Sequence, residues 1–324
     1  MSDVDILVLF EHPEWQAPLF EALERRGCCY QALDLKTAAF DPSQLPKARL
    51  VFNQASPSAY VRGHDRAVPL ALTLLKSYEA AGVPVINGAS AFGLELSKSA
   101  QLALLARIGV TGPRSLVFND PEALARQLEG STFPWPALIK PDQGGSGARM
   151  REVGSIDDVR TVLRAEPELW SPDPVLLLQE KLPVDPEQGI VRLEVVGGEL
   201  LYAMRVVSNG AFNLCPSEVC HPVDGQDGVC AVPQPSETPK VEFYAFPEVP
   251  ERAVKDALHI ARAGGLDIAG LEYVLVDGVP VFYDINANSN LRPAIAEEYG
   301  FDPFERVVDY LEARLQQSQL KVAG

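Results

Sequence analysis

The stretch ALIKPDQGGSG, residues Ala137 to Gly147, decides how this chain is read. Apolar Ala137, Leu138 and Ile139 predict a strand that runs into Lys140, and Gly144, Gly145, Ser146 and Gly147 follow as a flexible loop. Glycines let backbone N–H groups come close to phosphate oxygens, and a lysine at the strand end adds a fixed positive charge. The loop is not a Walker A sequence, because no Gly-Lys-Ser/Thr follows it, and it is not Gly-x-Gly-x-x-Gly. Taken alone it also reads as a plain hairpin turn between strands 136–140 and 149–153.

A second stretch, VFYDINANSN, Val281 to Asn290, favours the phosphate reading. Asp284 and Asn286 are two residues apart on a predicted strand and so point to one face. Two hard oxygen ligands on one face suit magnesium bridging phosphates.

The 324 residues, 47% of them hydrophobic, allow one large or two to three modest domains with buried cores. A formal net charge of −16 argues against a nucleic-acid backbone or an anionic membrane as the main partner. It leaves room for a small anion in a local basic pocket. No signal segment opens the chain, and its longest apolar run, Val68 to Leu75, is far below the ~20 residues of a membrane span. The expected location is the cytoplasm. Five cysteines make no paired framework. Cys215, Cys220, His221 and Cys230 lie close together but lack a Cys-x-x-Cys knuckle, so zinc ligands and ordinary loop residues both remain open.

The first ~95 residues alternate strand and helix patterns, predicting an open parallel sheet with helices on its faces. Strands are expected at Val4 to Phe10, Cys29 to Leu35, Leu50 to Asn53 and Val83 to Asn87, and helices at Trp15 to Arg26 and Ala67 to Ala81. Ligands bind at the carboxyl ends of such strands. Glu11, His12, Asn53, Gln54, Ser56 and the loop Arg62 to Arg66 are therefore either substrate-facing or solvated loop residues. From Ser97 the pattern becomes α+β, with a helix at Lys98 to Ile108, a strand at Val175 to Leu182 and strands at Ile190 to Val196 and Leu200 to Val207. Residues 208–250 hold seven prolines and six acids against a single Lys240, and read as a long loop or lid. A helix at Glu251 to Gly264, a hairpin turning at Asp277 and Gly278, and a helix at Pro303 to Gln317 complete the chain.

In that order the pieces resemble an ATP-grasp enzyme, and within that superfamily the RimK-like carboxylate–amine ligases. Glu272 and Asp284 lie 12 residues apart and Asn286 two further on, the acid, acid, asparagine spacing of these ligases. The resemblance runs from Asn53 to Asn290. It implies an N-terminal Rossmann-like, pre-ATP-grasp domain (residues 1–95), then an ATP-grasp fold of two α+β subdomains at 96–182 and 183–324.

The resemblance also implies roles for residues. Lys98 would reach the α-phosphate, Lys140 the α/β-phosphates, and the loop Gly144, Gly145, Ser146, Gly147 would close over the γ-phosphate. Gln179, Glu180, Lys181 and Leu182 match the hinge whose backbone binds adenine. Glu272, Asp284 and Asn286 would hold two magnesium ions, with manganese an alternative, and Arg192 and Arg205 match basic positions beside the γ-phosphate and acyl-phosphate. Arg292, six residues past the magnesium strand, is a further candidate for the acceptor carboxylate. Three departures stand out: Ser97 replaces an aspartate, Ile190 replaces the ribose-binding acid, and Ser289-Asn290 replaces Pro-Gly. Glu187 or Asp185 would then serve the ribose. The implied activity is an ATP-dependent ligase joining an amino-acid-like carboxylate to an amine, with a homo-oligomer possible. An ATP-grasp kinase and a non-catalytic ATP-binding regulator are the alternatives.

Overall fold

The computed structural model describes residues 4–145, 147–171, 173–208 and 241–322. Its first run, VDILVLF, forms β1 (Val4–Phe10), buried almost throughout, as expected of a parallel strand covered on both faces. With β2 (Tyr30–Asp34), β3 (Ala48–Gln54) and β4 (Val85–Ile86) it makes a parallel sheet in the order β2-β1-β3-β4. Helices α1 (Pro13–Arg25) and α2 (Ala67–Ala80) form the crossovers, and a short α3 (Ala89–Glu95), not expected from sequence, follows. β4 is shorter than predicted because Asn87 leaves the strand at a φ of 51°. The buried Asn87 then becomes a clip: Oδ1 accepts from the Asp267 and Ile268 N–H groups at 2.9 and 3.2 Å, while Nδ2 donates to the Ile268 and Ala287 carbonyls.

Next come α4 (Lys98–Ile108), β5 (Ser115–Phe118), α5 (Pro121–Leu128), β6 (Ala137–Pro141), β7 (Arg151–Val153), α6 (Ile156–Ala165) and β8 (Leu176–Glu180). The four strands form an antiparallel sheet, β5-β8-β6-β7. Asp120 and Ser155 cap α5 and α6 by accepting backbone N–H bonds, and Leu124, Val159 and Leu163 seat the two helices on Ile139 and Leu178. β8 stops two residues short of the predicted Leu182, just before Pro183, which has no N–H to donate.

The remaining elements are β9 (Ile190–Val196), β10 (Glu199–Val207), β11 (Glu242–Ala245), α7 (Glu251–Gly264), β12 (Ile268–Val276), β13 (Val279–Asn286), α8 (Pro293–Glu298) and α9 (Pro303–Val322). Their strands form an antiparallel sheet, β11-β10-β9-β12-β13. Alternation divides the residues between its faces. Val191, Leu193 and Leu271 pack with Ala257 and Ile260 of α7, so Arg192, Glu194 and Glu272 point the other way. Asp277 and Gly278 turn the β12–β13 hairpin with both φ angles positive, as the tight hairpin turn requires. Most of the expected 208–250 loop, and with it Cys215, Cys220, His221 and Cys230, lies outside the described residues. Its far end is not loop: β11 pairs with Met204 to Val207. Among the described residues, no helix is long and apolar enough to cross a membrane.

Candidate active site

The two antiparallel sheets, with α1, α3 and the turn after β3, wall one cavity of about 590 Å³, a size suited to a small ligand. It gathers Lys98, Lys140, Gly144, Gly145, Gly147, Gln179, Glu180, Lys181, Leu182, Arg192, Glu272, Asp284 and Asn286. Ser146 lies outside the described residues.

The acid end is built on β12 and β13. Glu272 lies directly opposite Asp284 in the pairing of these strands, and Asn286 follows on the same face, its Nδ2 donating to Gly270 O at 3.2 Å. Both Glu272 oxygens are engaged: Oε1 accepts from Arg192 at 2.8 Å and Oε2 from the Tyr283 hydroxyl at 2.7 Å. Arg192 also donates to Glu194 at 2.6 Å and to the Ser289 hydroxyl at 3.1 Å. Burial works against its charge, but Glu194 and Glu272 outweigh that and raise its pKa above the ordinary value. Gly270 makes room for this guanidinium, since a Cβ there would fall on it. Burial pushes the Glu272 carboxyl up, partly offset by Arg192. For Asp284 burial is again the largest influence, yet Lys98, Lys140 and Arg192 together hold its pKa below the usual carboxylate value.

These donors fit magnesium. Among the described residues, no three His, Cys, Asp or Glu side chains converge on a metal position. Two carboxylates and one amide oxygen on a single face are what a magnesium ion takes from a protein when phosphates and water complete its octahedron.

The cationic end faces them. Lys98 opens α4 and makes an ion pair with Asp284. Ser97, standing where the sequence resemblance puts an aspartate, is the cap of this helix: its Oγ accepts from Ala100 N–H at 3.1 Å and donates to Asp142 Oδ2 at 2.8 Å. Asp142 also accepts from Ser99 N–H at 2.6 Å, so the carboxylate at this helix start comes from another strand end. Lys140 is buried at the end of β6, where burial and the neighbouring Lys98 push its pKa down to about 8.

Leu138, Met150, Leu182, Ile190 and Val274 supply an apolar slot beside the 179–182 stretch. The N–H groups of Glu180 and Lys181 are already given to the carbonyls of Arg114 and Pro136, at 2.9 and 3.2 Å. A base edge at this wall would therefore be read by other groups of the stretch. Across the cavity Gly145 abuts the turn after β3, for a Cβ there would lie 2.8 Å from that of Ser58. The Arg149 guanidinium lies 4.9 Å from the Tyr60 ring centre in the same contact.

Several expected residues are elsewhere. Arg205 pairs with Val191, not Arg192, so it emerges on the opposite sheet face; it donates to Glu187 O at 2.7 Å and stacks on Tyr244. Arg292 stands at the N-cap position of α8, is buried over the Phe243 ring at 4.3 Å and does not line the cavity. Glu187 sits in an exposed turn, and neither it nor Asp185 lines the cavity. Arg62 is buried against Glu11, which also meets His64 at 2.7 Å, and Arg66 is exposed. Asn53 is structural, its side chain bonded to Ala55 N–H and Asn87 O. Sequence reasoning missed Glu95, Trp15 and Asn288 in the lining, and Tyr283 and Glu194 as partners of the acid end. Burial raises the Glu95 carboxyl to about 8.

No family model matches the chain. Among curated proteins, the probable alpha-L-glutamate ligase of Haemophilus influenzae is 22% identical over 309 residues, covering 91% of this chain and 92% of that protein. Among solved structures, the RimK domain ATP-grasp protein of Sphaerobacter thermophilus matches with a TM-score of 0.67 at 18% identity, over 94% of this chain and 98% of that one. The ATP-grasp ligase PsnB, complexed with a minimal precursor, Mg and ADP, matches with a TM-score of 0.61 at 21% identity, over 97% and 99%. Likeness over more than nine-tenths of the chain takes in all three sheets: the chain has the ATP-grasp fold.

Proposed function

We propose that this chain is an ATP- and magnesium-dependent ligase that joins a carboxylate to an amine through an acyl-phosphate, releasing ADP and phosphate, and that it works in the cytoplasm. The carrying observation is the convergence, on one cavity, of Lys98 and Lys140 with Glu272, Asp284 and Asn286. The names of the similar proteins, glutamate ligase and ATP-grasp ligase, support the same reaction class. We assign residues 1–95 to the N-terminal domain, 96–182 and 183–324 to the two subdomains.

Bringing a carboxylate to the γ-phosphate sets two anions together, so catalysis needs fixed cations and a site closed to water. Lys98 and Lys140 hold the phosphates, and Gly144 to Gly147 cover them. Glu272, Asp284 and Asn286 would hold magnesium, which would supply neutralisation of phosphate charge. Arg192 acts as a positioning residue, because its charge is already shared between Glu194 and Glu272. The substrate carboxylate oxygen takes the γ-phosphoryl group and ADP leaves. The amine nitrogen then bonds to the acyl carbon, the carbon–oxygen bond to phosphate breaks, and the amine loses a proton. The reaction needs no side-chain nucleophile.

A matrix of carboxylates and amines screened for phosphate release, with mass spectrometry of the adduct, tests this. Phosphate release should require both partners, and Asp284→Asn should lower turnover by about 10² or more. ADP formation indifferent to every amine would point to a kinase.

A further inference from the structure

Beside the phosphate and metal groups, and among the described residues, the cavity has a place where buried acceptors lack a donor. Glu95, the last residue of α3, is 2% exposed, and its Oε2 has no hydrogen-bond partner. Asn288, two residues past Asn286 and also buried, leaves its Oδ1 unpaired. The orientation of that amide is fixed, because Nδ2 donates to the Ala55 carbonyl at 3.2 Å. The two residues are neighbours in the lining, and the Asn288 backbone N–H lies close enough to favour the ionised Glu95 carboxylate. Both line the cavity.

Buried acceptors are rarely left unpaired, since each forgoes its hydrogen bond to water. Here two occur together, one of them ionisable, against a space built to be filled. Among the described residues, no third acid, histidine or cysteine joins them to complete a metal position. A compact group with positive charge and several N–H donors satisfies both oxygens at once, and a primary ammonium is that group.

We propose that Glu95 and Asn288 form a seat for the primary ammonium of an amino-bearing substrate. The seat lies beside the reacting end, with Glu95 three residues before Lys98 and Asn288 two after Asn286. Burial favours the neutral Glu95 carboxyl in the empty site, and an ammonium seated against it restores the carboxylate. The pair in turn favours the charged amine, so the nitrogen held here is a recognition handle and not the attacking amine. This assignment rests on the ligase reading for what happens next to the seat, not for the seat itself.

The test is calorimetric, on the full chain, with a panel of amino acids, each paired with the analogue carrying hydrogen in place of the α-ammonium. At least one amino acid should bind, its deaminated analogue about tenfold or more weakly, and Glu95→Gln should weaken the amino acid by about 10- to 100-fold. Asn288→Ala, expected to act in the same direction, serves if Glu95→Gln does not fold. Mg–AMPPNP titrated separately reports on the ATP reading by itself and serves as the folding control. The seat is overturned if no amino acid in the panel binds, if the deaminated analogue binds as well as its parent, or if both variants hold the amino acid like wild type. A protein that binds amino acids through Glu95 but never Mg–AMPPNP overturns the ligase reading and leaves the seat intact.

Discussion

The Arg192 guanidinium donates to the Glu272 carboxylate at 2.8 Å across adjacent strands, with both side chains buried. A single cation thus holds an acid that the proposed chemistry needs, and a second acid, Glu194, fixes that cation from its own strand. Removing one partner of a buried pair leaves an uncompensated charge. Arg192→Met should therefore cost about 3–5 kcal/mol of stability in urea unfolding at neutral pH. Arg192→Lys should recover only part of it, because an ammonium cannot reproduce three directed bonds to Glu194, Glu272 and Ser289.

Asn87 is the second stability test. Asn87→Ala removes the acceptor of the Asp267 and Ile268 N–H groups and both donors to the neighbouring carbonyls. It also puts alanine at a positive φ. Loss of about 2–4 kcal/mol is expected in denaturant unfolding, with Asn87→Asp intermediate because it keeps the acceptor. A change within experimental error would show that the sheets are joined by other means.

Much of this was legible in the chain, and the failures have physical causes. Lys140 with its glycines, and Glu272, Asp284 and Asn286, carry strand alternation and ligand chemistry in their own spacing. Arg205 did not, because its direction depends on the register of β9 against β10, where a shift between Leu200 and Tyr202 sets Met204 opposite Arg192. Helices α3 and α8 are under two turns and show too little periodicity to be seen. Strand β11 hides at the end of an acidic, proline-rich segment, and Glu95, a lone acid among apolar neighbours, gives no signal until α3 turns it inward.

The lowered pKa of Lys140 makes nucleotide affinity depend on pH. Its folded value, about 8, lies below the ordinary 10.5, so between these values the folded protein binds fewer protons than the unfolded chain. Stability contributed by this group therefore rises with pH across that window, and the cost of burying the charge is complete below it. Phosphates need the charged form. Mg–AMPPNP affinity should fall above pH 8, by up to about tenfold per unit, and Lys140→Met should bind weakly with a flat profile. Equal wild-type affinity at pH 7 and 9.5 would count against the assignment.

The contact between Gly145 and Ser58 couples the glycine loop to the turn after β3. Gly145→Ala brings a Cβ to 2.8 Å from that of Ser58, so the loop must shift. Nucleotide affinity should drop about tenfold while the unfolding midpoint barely moves. Adding Ser58→Gly removes the closest contact, leaving the backbone N and Cα of residue 58 at 3.3 and 3.4 Å, and should restore part of the loss; a double variant as weak as the single would place the fault in the backbone.

The central claim, that a carboxylate is activated by phosphoryl transfer before an amine displaces phosphate, is tested most directly by oxygen tracing. With a substrate carboxylate labelled in both oxygens, unlabelled ATP and saturating amine, the account predicts one labelled oxygen in each inorganic phosphate released and the other in the amide product. Unlabelled phosphate, or label retained in a stable phosphorylated substrate with no free phosphate, would contradict it.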